Sequence, residues 1–123
     1  MLYSVPDMKQ IDHVPHPVEY RQWCEALDRV DTLAYRRICD ELNTRFNGRE
    51  VDTSSWIPGA DWTGTVFQPI YDACRWNEVA AAQFFGLLVW QVVIGRDDCW
   101  SFGRYEKEGI PIRGMTYFRV DCP

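Results

Sequence analysis

Lysine is scarce in this chain, because only two of its thirteen basic residues are lysines, Lys9 and Lys107. Eighteen acidic residues outnumber the basic ones, and the formal net charge is −5. A protein that coats nucleic acid with its whole surface shows a basic excess, so this composition disfavours that class. It leaves room for a local basic patch.

Long hydrophobic runs are also absent from the 123 residues, a length that suits a single domain. The most apolar stretch covers residues 84–94 and is interrupted by Gln91. A helix needs about 20 apolar residues to cross a membrane, so we predict no membrane association. The first residues lack a basic start followed by a long apolar run, which argues against a secretory signal. We therefore expect a cytoplasmic protein.

The sequence has no closely spaced cysteines of the CxxC type, which argues against a zinc ribbon or finger. Its odd number of cysteines argues against a complete disulfide framework. Each has apolar or aromatic neighbours, so we predict buried free thiols. The five cysteines are Cys24, Cys39, Cys74, Cys99 and Cys122.

Other signals of a metal or cofactor site are weak. His13 and His16 form an H-x-x-H pair, but the adjacent prolines impose an extended path that does not bring two ligands to one ion. There is no glycine-rich phosphate loop and no serine in a nucleophile elbow. The sequence therefore predicts no metal, no cofactor and no catalytic residue.

The first part of the chain predicts an extended arm followed by one long helix. Residues 1–16 contain two prolines and little periodicity, which indicates an N-terminal arm. Pro17 fits the first helical position, and from Tyr20 to Phe46 apolar residues recur every three or four positions, the pattern of one helix face. Asp31 is a good capping residue, so this helix of about 30 residues is expected to kink there.

The rest of the chain predicts a short strand, two helices and a hairpin. A strand is expected within residues 49–56 and a second helix ends near Cys74. Asn77 caps a third helix over residues 78–94, which is apolar nearly all round and therefore central. Strands over residues 100–105 and 110–120 form the hairpin. The residues expected to face the core from it are Trp100, Phe102, Ile110, Ile112, Phe118 and Val120.

This order of elements resembles the winged-helix arrangement over residues 17–120. The resemblance rests on element order and carries no sequence motif of a specific family. It implies that the second and third helices form a helix-turn-helix and that the hairpin is the wing. We therefore predict a single winged-helix-like α+β domain over residues 17–123, with residues 1–16 as the arm.

The winged-helix order makes a DNA-binding transcriptional regulator one functional hypothesis. The third helix, however, carries Glu78 and Gln83 and has no basic residue before Arg96. A recognition helix presents polar and basic side chains to base edges, so DNA binding is the alternative here. The cations that would contact DNA are Arg75, Arg96, Arg104, Lys107 and Arg113.

The outer face of the hairpin favours protein binding, because it combines tyrosine, methionine and arginine, which are enriched at interfaces. The first helix carries an apolar stripe near heptad spacing, so we also expect it to be available for forming a homodimer. We predict a non-catalytic protein-interaction module, such as a regulator, an adaptor or a small inhibitor of a larger machine. Ordinary core and sheet surface is the other interpretation of these features. The predicted partner-binding residues are Tyr105, Arg113, Met115, Tyr117 and Arg119.

One loop suggests an enzyme. Residues 61–66 read DWTGTV and are similar to the D-x-[DT]-G-T loop of haloacid-dehalogenase-like phosphatases and P-type ATPases. The resemblance implies that Asp61 is a phosphoryl-accepting nucleophile acting with Mg²⁺, with Asp97 and Asp98 in the acidic metal-binding loop. No lysine lies between these positions, and too few residues intervene for the parallel strands of that fold. A phosphatase-like enzyme is thus the remote alternative.

Overall fold

The computed structural model of the chain describes residues 1–53, 62–104, 106–107, 110–111 and 114–123. These residues form a small α+β domain with strands near both termini. The helices are α1 Pro17–Val30, α2 Ala34–Phe46, α3 Gln68–Ala73 and α4 Glu78–Ile94. The strands are β1 Leu2–Tyr3, β2 Gln10–Ile11, β3 Val51–Thr53, β4 Trp100–Gly103, β5 Glu106–Lys107, β6 Ile110–Pro111 and β7 Thr116–Arg119.

The main sheet is mixed and has the order β2-β1-β4-β7-β3. Strand β1 pairs in parallel with β4, where Leu2 lies opposite Trp100, and all other pairs are antiparallel. The predicted N-terminal arm of residues 1–16 contains strands β1 and β2, which pair in the main sheet. Leu2 is fully buried in the core, because β1 covers the edge of β4 that the hairpin leaves open.

The long first helix is in fact two helices separated at Asp31. The Asp31 carboxylate accepts a hydrogen bond from the Leu33 N–H at 2.9 Å and another from Arg37 at 3.1 Å. An aspartate that binds the backbone two residues later favours a turn over a continuing helix, so the expected kink becomes a full break. The apolar stripe folds inward with it, since Leu27, Ile38 and Phe46 are fully buried.

Helix α4 lies at the centre of the domain, and its predicted bounds are confirmed. Asn77 accepts a hydrogen bond from the Ala80 N–H at 3.1 Å, and Gly95 follows the last residue. Seven side chains of this helix are buried, which explains its nearly uniform apolarity. No helix in the described part of the chain combines the length and the hydrophobicity that crossing a bilayer requires.

The predicted pairing is present, since β4 pairs with β7 and places Phe102 opposite Tyr117. The two strands predicted over residues 100–105 and 110–120 are each divided, and β5 and β6 form a separate two-stranded sheet. The assignment of faces on β7 is wrong. Tyr117 points toward the helices and is 1% exposed, whereas Phe118, predicted in the core, lies on the other face and is half-buried. Apolar residues alternate on both faces of this strand, so only the cover of helices decides which set is buried.

A polar cluster closes the C-terminal end of α4. Asp98 accepts hydrogen bonds from Arg96 Nε at 2.8 Å and from Trp100 Nε1 at 2.7 Å. Arg96 also donates to the backbone oxygen of Asn43 at 2.9 Å, which joins this turn to α2. The amino group of Met1 donates to the backbone oxygens at the same place, including that of Asp98. The cluster thus holds the ends of α2, α4 and β1 together.

The prediction that all five cysteines are free thiols is wrong for one pair. Cys99 and Cys122 form a disulfide bond that ties the end of the chain to the start of β4. Cys74 is a buried free thiol as predicted, whereas Cys24 and Cys39 are free and half-buried. The sequence could not indicate the pair, because the distance between two cysteines in space is set by strand pairing.

The element order is not clearly that of a winged helix. The N-terminal strands β1 and β2 belong to the main sheet, and β1 separates β2 from the hairpin strand β4. The first helix is divided, and α3 is only six residues long. Helices α3 and α4 followed by the β4–β7 hairpin are the part of the predicted order that remains.

Candidate binding groove

Three segments that are distant in the sequence enclose a groove of about 680 Å³. They are the start of α1, one face of α4 and the base of the hairpin. This volume falls in the range of ordinary ligand pockets, roughly 300–1,000 Å³. The lining residues are Pro15, His16, Glu19, Trp23, Ala82, Gln83, Gly86, Leu87, Trp90, Arg104, Gly114, Met115 and Tyr117.

The first wall of the groove comes from the start of α1. His16 adopts a left-handed conformation with φ of 55°, and the proline that follows it occupies the first helical turn. This turn aims Glu19 and Trp23, one helical turn apart, along the groove. The Trp23 ring packs on the buried Phe84 ring of α4 with centroids 5.7 Å apart, which holds the wall in place.

The floor of the groove is a face of α4 that the described residues cover only in part. Gln83, Gly86, Leu87 and Trp90 follow helical spacing and lie on this one face. Among the described residues a Cβ atom added at Gly86 would meet nothing within 4 Å, so packing against them does not require glycine there. Glycine within a helix costs about 1 kcal/mol relative to alanine. The open space above Gly86 therefore fits a floor that something else approaches.

The second wall is the base of the hairpin. Trp90 of α4 packs edge-on against Phe102 with ring centroids 4.7 Å apart, and its Nε1 donates to the His13 backbone oxygen at 3.0 Å. The Tyr117 ring packs against Phe46 with centroids 5.8 Å apart. These contacts fix both the aromatic wall and the N-terminal segment on the same helix.

Tyr117 and Arg104 supply the polar groups at the hairpin end of the groove. Burial raises the pKa of Tyr117, and the positive charge of Arg104 opposes this effect without cancelling it. The hydroxyl therefore stays protonated at neutral pH and is available as a hydrogen-bond donor. Arg104 itself is exposed.

The predicted partner-binding residues do not form one exposed face. Met115 and Tyr117 line the groove, and Tyr117 is buried where an exposed side chain was expected. Arg119 lies elsewhere, with its guanidinium over the Trp100 ring at 5.6 Å from the centroid. Tyr105 and Arg113 fall outside the described residues.

The predicted DNA-contacting cations are also dispersed. Arg75 is exposed in the turn between α3 and α4, and Arg104 is on the groove. Arg96 is committed to the polar cluster, where its side chain is only 9% exposed, so it is not available to a phosphate. The side chain of Lys107 and all of Arg113 lie outside the description.

The described residues do not bring together the catalytic and metal-binding side chains that the enzyme hypothesis requires. Asp61, its proposed nucleophile, lies outside them, and Asp98 is held by Arg96 and Trp100. His13 is exposed beside Asp12, and in the part of the chain that the structure describes no three histidine, cysteine or acidic side chains converge as metal ligands.

No protein-family model, no curated protein and no solved structure matches this chain significantly. Its function therefore has to follow from the residues of the groove. One feature of the sequence indicated the groove, although the composition and the alternation along the hairpin did not. Gly86 interrupts a strongly apolar helix, and Gln83, Leu87 and Trp90 share its face.

Proposed function

We propose that this chain is a non-catalytic protein-interaction module that takes a short segment of a partner polypeptide into the groove. The observation that carries the proposal is the face of α4 that the described residues leave partly open, where Gly86 has free space above it and Trp23 and Trp90 line the same groove. Aromatic side chains that line a concave surface are typical of positions that dominate binding energy. A regulator, adaptor or inhibitor fits such a site.

A displayed library of random octapeptides tests this function. We expect the native chain to select a defined motif with an apolar residue and Gly86→Leu to select none, because the added side chain occupies the floor of the groove. Val18→Ala, which shortens an exposed side chain outside the lining, is the matched control and should select the native motif. Selection of the same motif by Gly86→Leu would contradict the proposal.

The floor also gives a prediction for stability. Gly86→Ala should raise the free energy of unfolding by about 0.5–1 kcal/mol, because helical alanine is favoured over glycine and nothing crowds the added methyl group. Urea unfolding measures the change. Gly48→Ala is the opposite control, since it also has open space but a φ of 74°, and it should destabilise the chain. If Gly86→Ala lowers the free energy of unfolding, packing within the fold requires glycine at this position.

A winged-helix DNA-binding regulator is the second candidate, and it is favoured by the succession of α3, α4 and the β4–β7 hairpin. Arg75 and Arg104 are the described cations that would contact phosphates. Binding to a DNA duplex should then be tighter than micromolar at physiological salt, and Arg104→Ala should lower the salt slope by about one unit. An affinity for duplex DNA weaker than micromolar at physiological salt would contradict the DNA-binding function.

The cytoplasmic location belongs to the same proposal. The three free thiols fit a reducing compartment, whereas the bond between Cys99 and Cys122 is typical of oxidising surroundings. Thiol trapping in intact cells decides between them. A reactive Cys122 thiol supports the cytoplasm, and a protected one contradicts it.

A further inference from the structure

The geometry points to an Asp or Glu side chain of the partner segment as the group that binds between Arg104 and Tyr117, beside an apolar residue that lies against Trp90. This inference rests on the proposed function, since it names the chemistry of the segment that the groove receives. The argument has three steps, which concern the tyrosine, the arginine and the apolar remainder of the groove.

Tyr117 is a groove-lining residue whose hydroxyl takes part in none of the hydrogen bonds found among the described residues. The residue is 1% exposed and lines the groove, while its ring is fixed by Phe46 and Trp90 at centroid distances of 5.8 and 6.5 Å. The Tyr117 hydroxyl is not a fully enclosed atom without a partner, since Thr116 Oγ1 is the one such side-chain atom found among the described residues. A hydroxyl can donate one hydrogen bond, and an acceptor supplied from the groove would receive it.

Arg104 adds a positive charge at the same end. Its side chain lines the groove, and its charge acts on the Tyr117 hydroxyl. Among the described residues no carboxylate lies within ion-pair distance of Arg104. A guanidinium and a hydroxyl that both donate select an acceptor with negative charge, and a carboxylate matches the arginine fork best.

The remainder of the groove restricts where the partner segment can carry its negative charge. Leu87, Trp90 and Met115 present apolar surface next to the Arg104 end, and Glu19 lies on the α1 wall. A second negative charge near Glu19 would be repelled, so the segment carries its acid at the hairpin end only. An apolar side chain next to an acidic one satisfies both parts of the groove.

Two synthetic hexapeptide pools test this inference. Both are acetylated and amidated, with the same mixture of Gly, Ser, Leu, Phe and Trp at five positions, and the sixth is Asp in one pool and Asn in the other. Titration monitored by NMR at Gly86, Leu87 and Trp90 gives the apparent affinities. We expect the Asp pool to bind about tenfold more tightly, as a charge-assisted hydrogen bond would provide, and the preference to shrink as salt rises.

Variants assign the effect to the two donors. Arg104→Gln should remove the preference for the Asp pool, and Tyr117→Phe, which keeps the buried ring, should reduce it about threefold. Arg29→Gln is the matched control, because Arg29 is an exposed helical cation outside the groove lining. It should leave the preference unchanged, and thermal unfolding checks that each variant is folded.

The outcomes separate the inference from the proposed function. Equal binding of the two pools, or a preference that survives Arg104→Gln, overturns the carboxylate assignment. If both pools still bind and Gly86→Leu abolishes that binding, the groove remains the binding site. Pools that leave the groove resonances unchanged, or binding that persists in Gly86→Leu, overturn the proposed function together with the inference.

Discussion

Phe46→Ala should lower the free energy of unfolding by about 3–5 kcal/mol, the range measured when a buried phenylalanine is truncated. Phe46 is fully buried at the end of α2, and its ring packs edge-on against Trp100 and Tyr117 with centroids 5.1 and 5.8 Å apart. The Arg96 guanidinium also lies over it at 5.8 Å. Removing the ring therefore leaves a cavity that several rigid neighbours cannot close.

Chemical denaturation followed by near-ultraviolet circular dichroism measures this effect, because Trp100 and Tyr117 report on the loss of packing. Phe46→Leu should cost less, since most of the apolar volume remains. Val18→Ala removes carbon atoms from a side chain that is 60% exposed and should stay within about 0.5 kcal/mol of the native chain. An unchanged midpoint for Phe46→Ala would contradict the packing of α2 on the sheet.

Asp98→Ala should lower the free energy of unfolding by about 3 kcal/mol, because it removes the carboxylate that neutralises the buried Arg96 guanidinium, which keeps only its hydrogen bonds to Asn43 and Asn47. The side chains of Arg96 and Asp98 are 9% and 22% exposed, so water replaces little of the lost interaction. The Trp100 Nε1–H loses its acceptor at the same time. Asp97→Ala is the matched control, since the neighbouring carboxylate is exposed and should contribute less than about 0.5 kcal/mol.

Asp98 also gives the chain a specific acid sensitivity. The hydrogen bonds from Arg96, and then those from Trp100, hold the pKa of Asp98 below its ordinary value of 3.8, with Arg119 adding a smaller attraction. A carboxyl whose pKa is lower in the folded state contributes its full stability above the unfolded pKa. That contribution is lost as the pH falls through the folded-state pKa.

Unfolding measured between about pH 6 and pH 2 tests this sensitivity. The free energy of unfolding of the native chain should fall as the pH drops below the pKa that Asp98 has in the unfolded state. Asp98→Asn should be less stable at neutral pH, and its stability should fall less between neutral and acid pH. An equal loss of stability on acidification in the two chains would show that other carboxyl groups dominate the acid response. A stable Asp98→Ala chain at neutral pH would remove the cluster from the account of stability.

Local signals in the sequence were sufficient for α4. Asn77 and Gly95 bound the helix where predicted, because the cap is a hydrogen bond between residues three apart and needs no tertiary partner. Asp31 predicted the place of the interruption but not its extent, since a kink and a full break begin with the same local hydrogen bond. The uniform apolarity of residues 78–94 indicated burial without indicating which face stays open.

The groove could not be predicted in the same way. Glu19, Gly86 and Arg104 belong to three segments, and their proximity depends on how α1 and the hairpin pack on α4. Tyr117 was assigned to the outer face, since alternation along a strand defines two sets of side chains but does not say which one the helices cover. The free thiols and the disulfide could not be distinguished either, because pairing follows from spatial distance.

The sequence by itself determined the α+β class, the bounds of the central helix and the pairing of the hairpin, since each depends on periodicity, capping or a turn between neighbouring residues. The tertiary structure decided that β1 completes the sheet, that Tyr117 faces the helices and that Gly86 floors a groove. These features arise from contacts between residues far apart in the chain. Such contacts are selected by the total burial of apolar surface, which no single segment encodes.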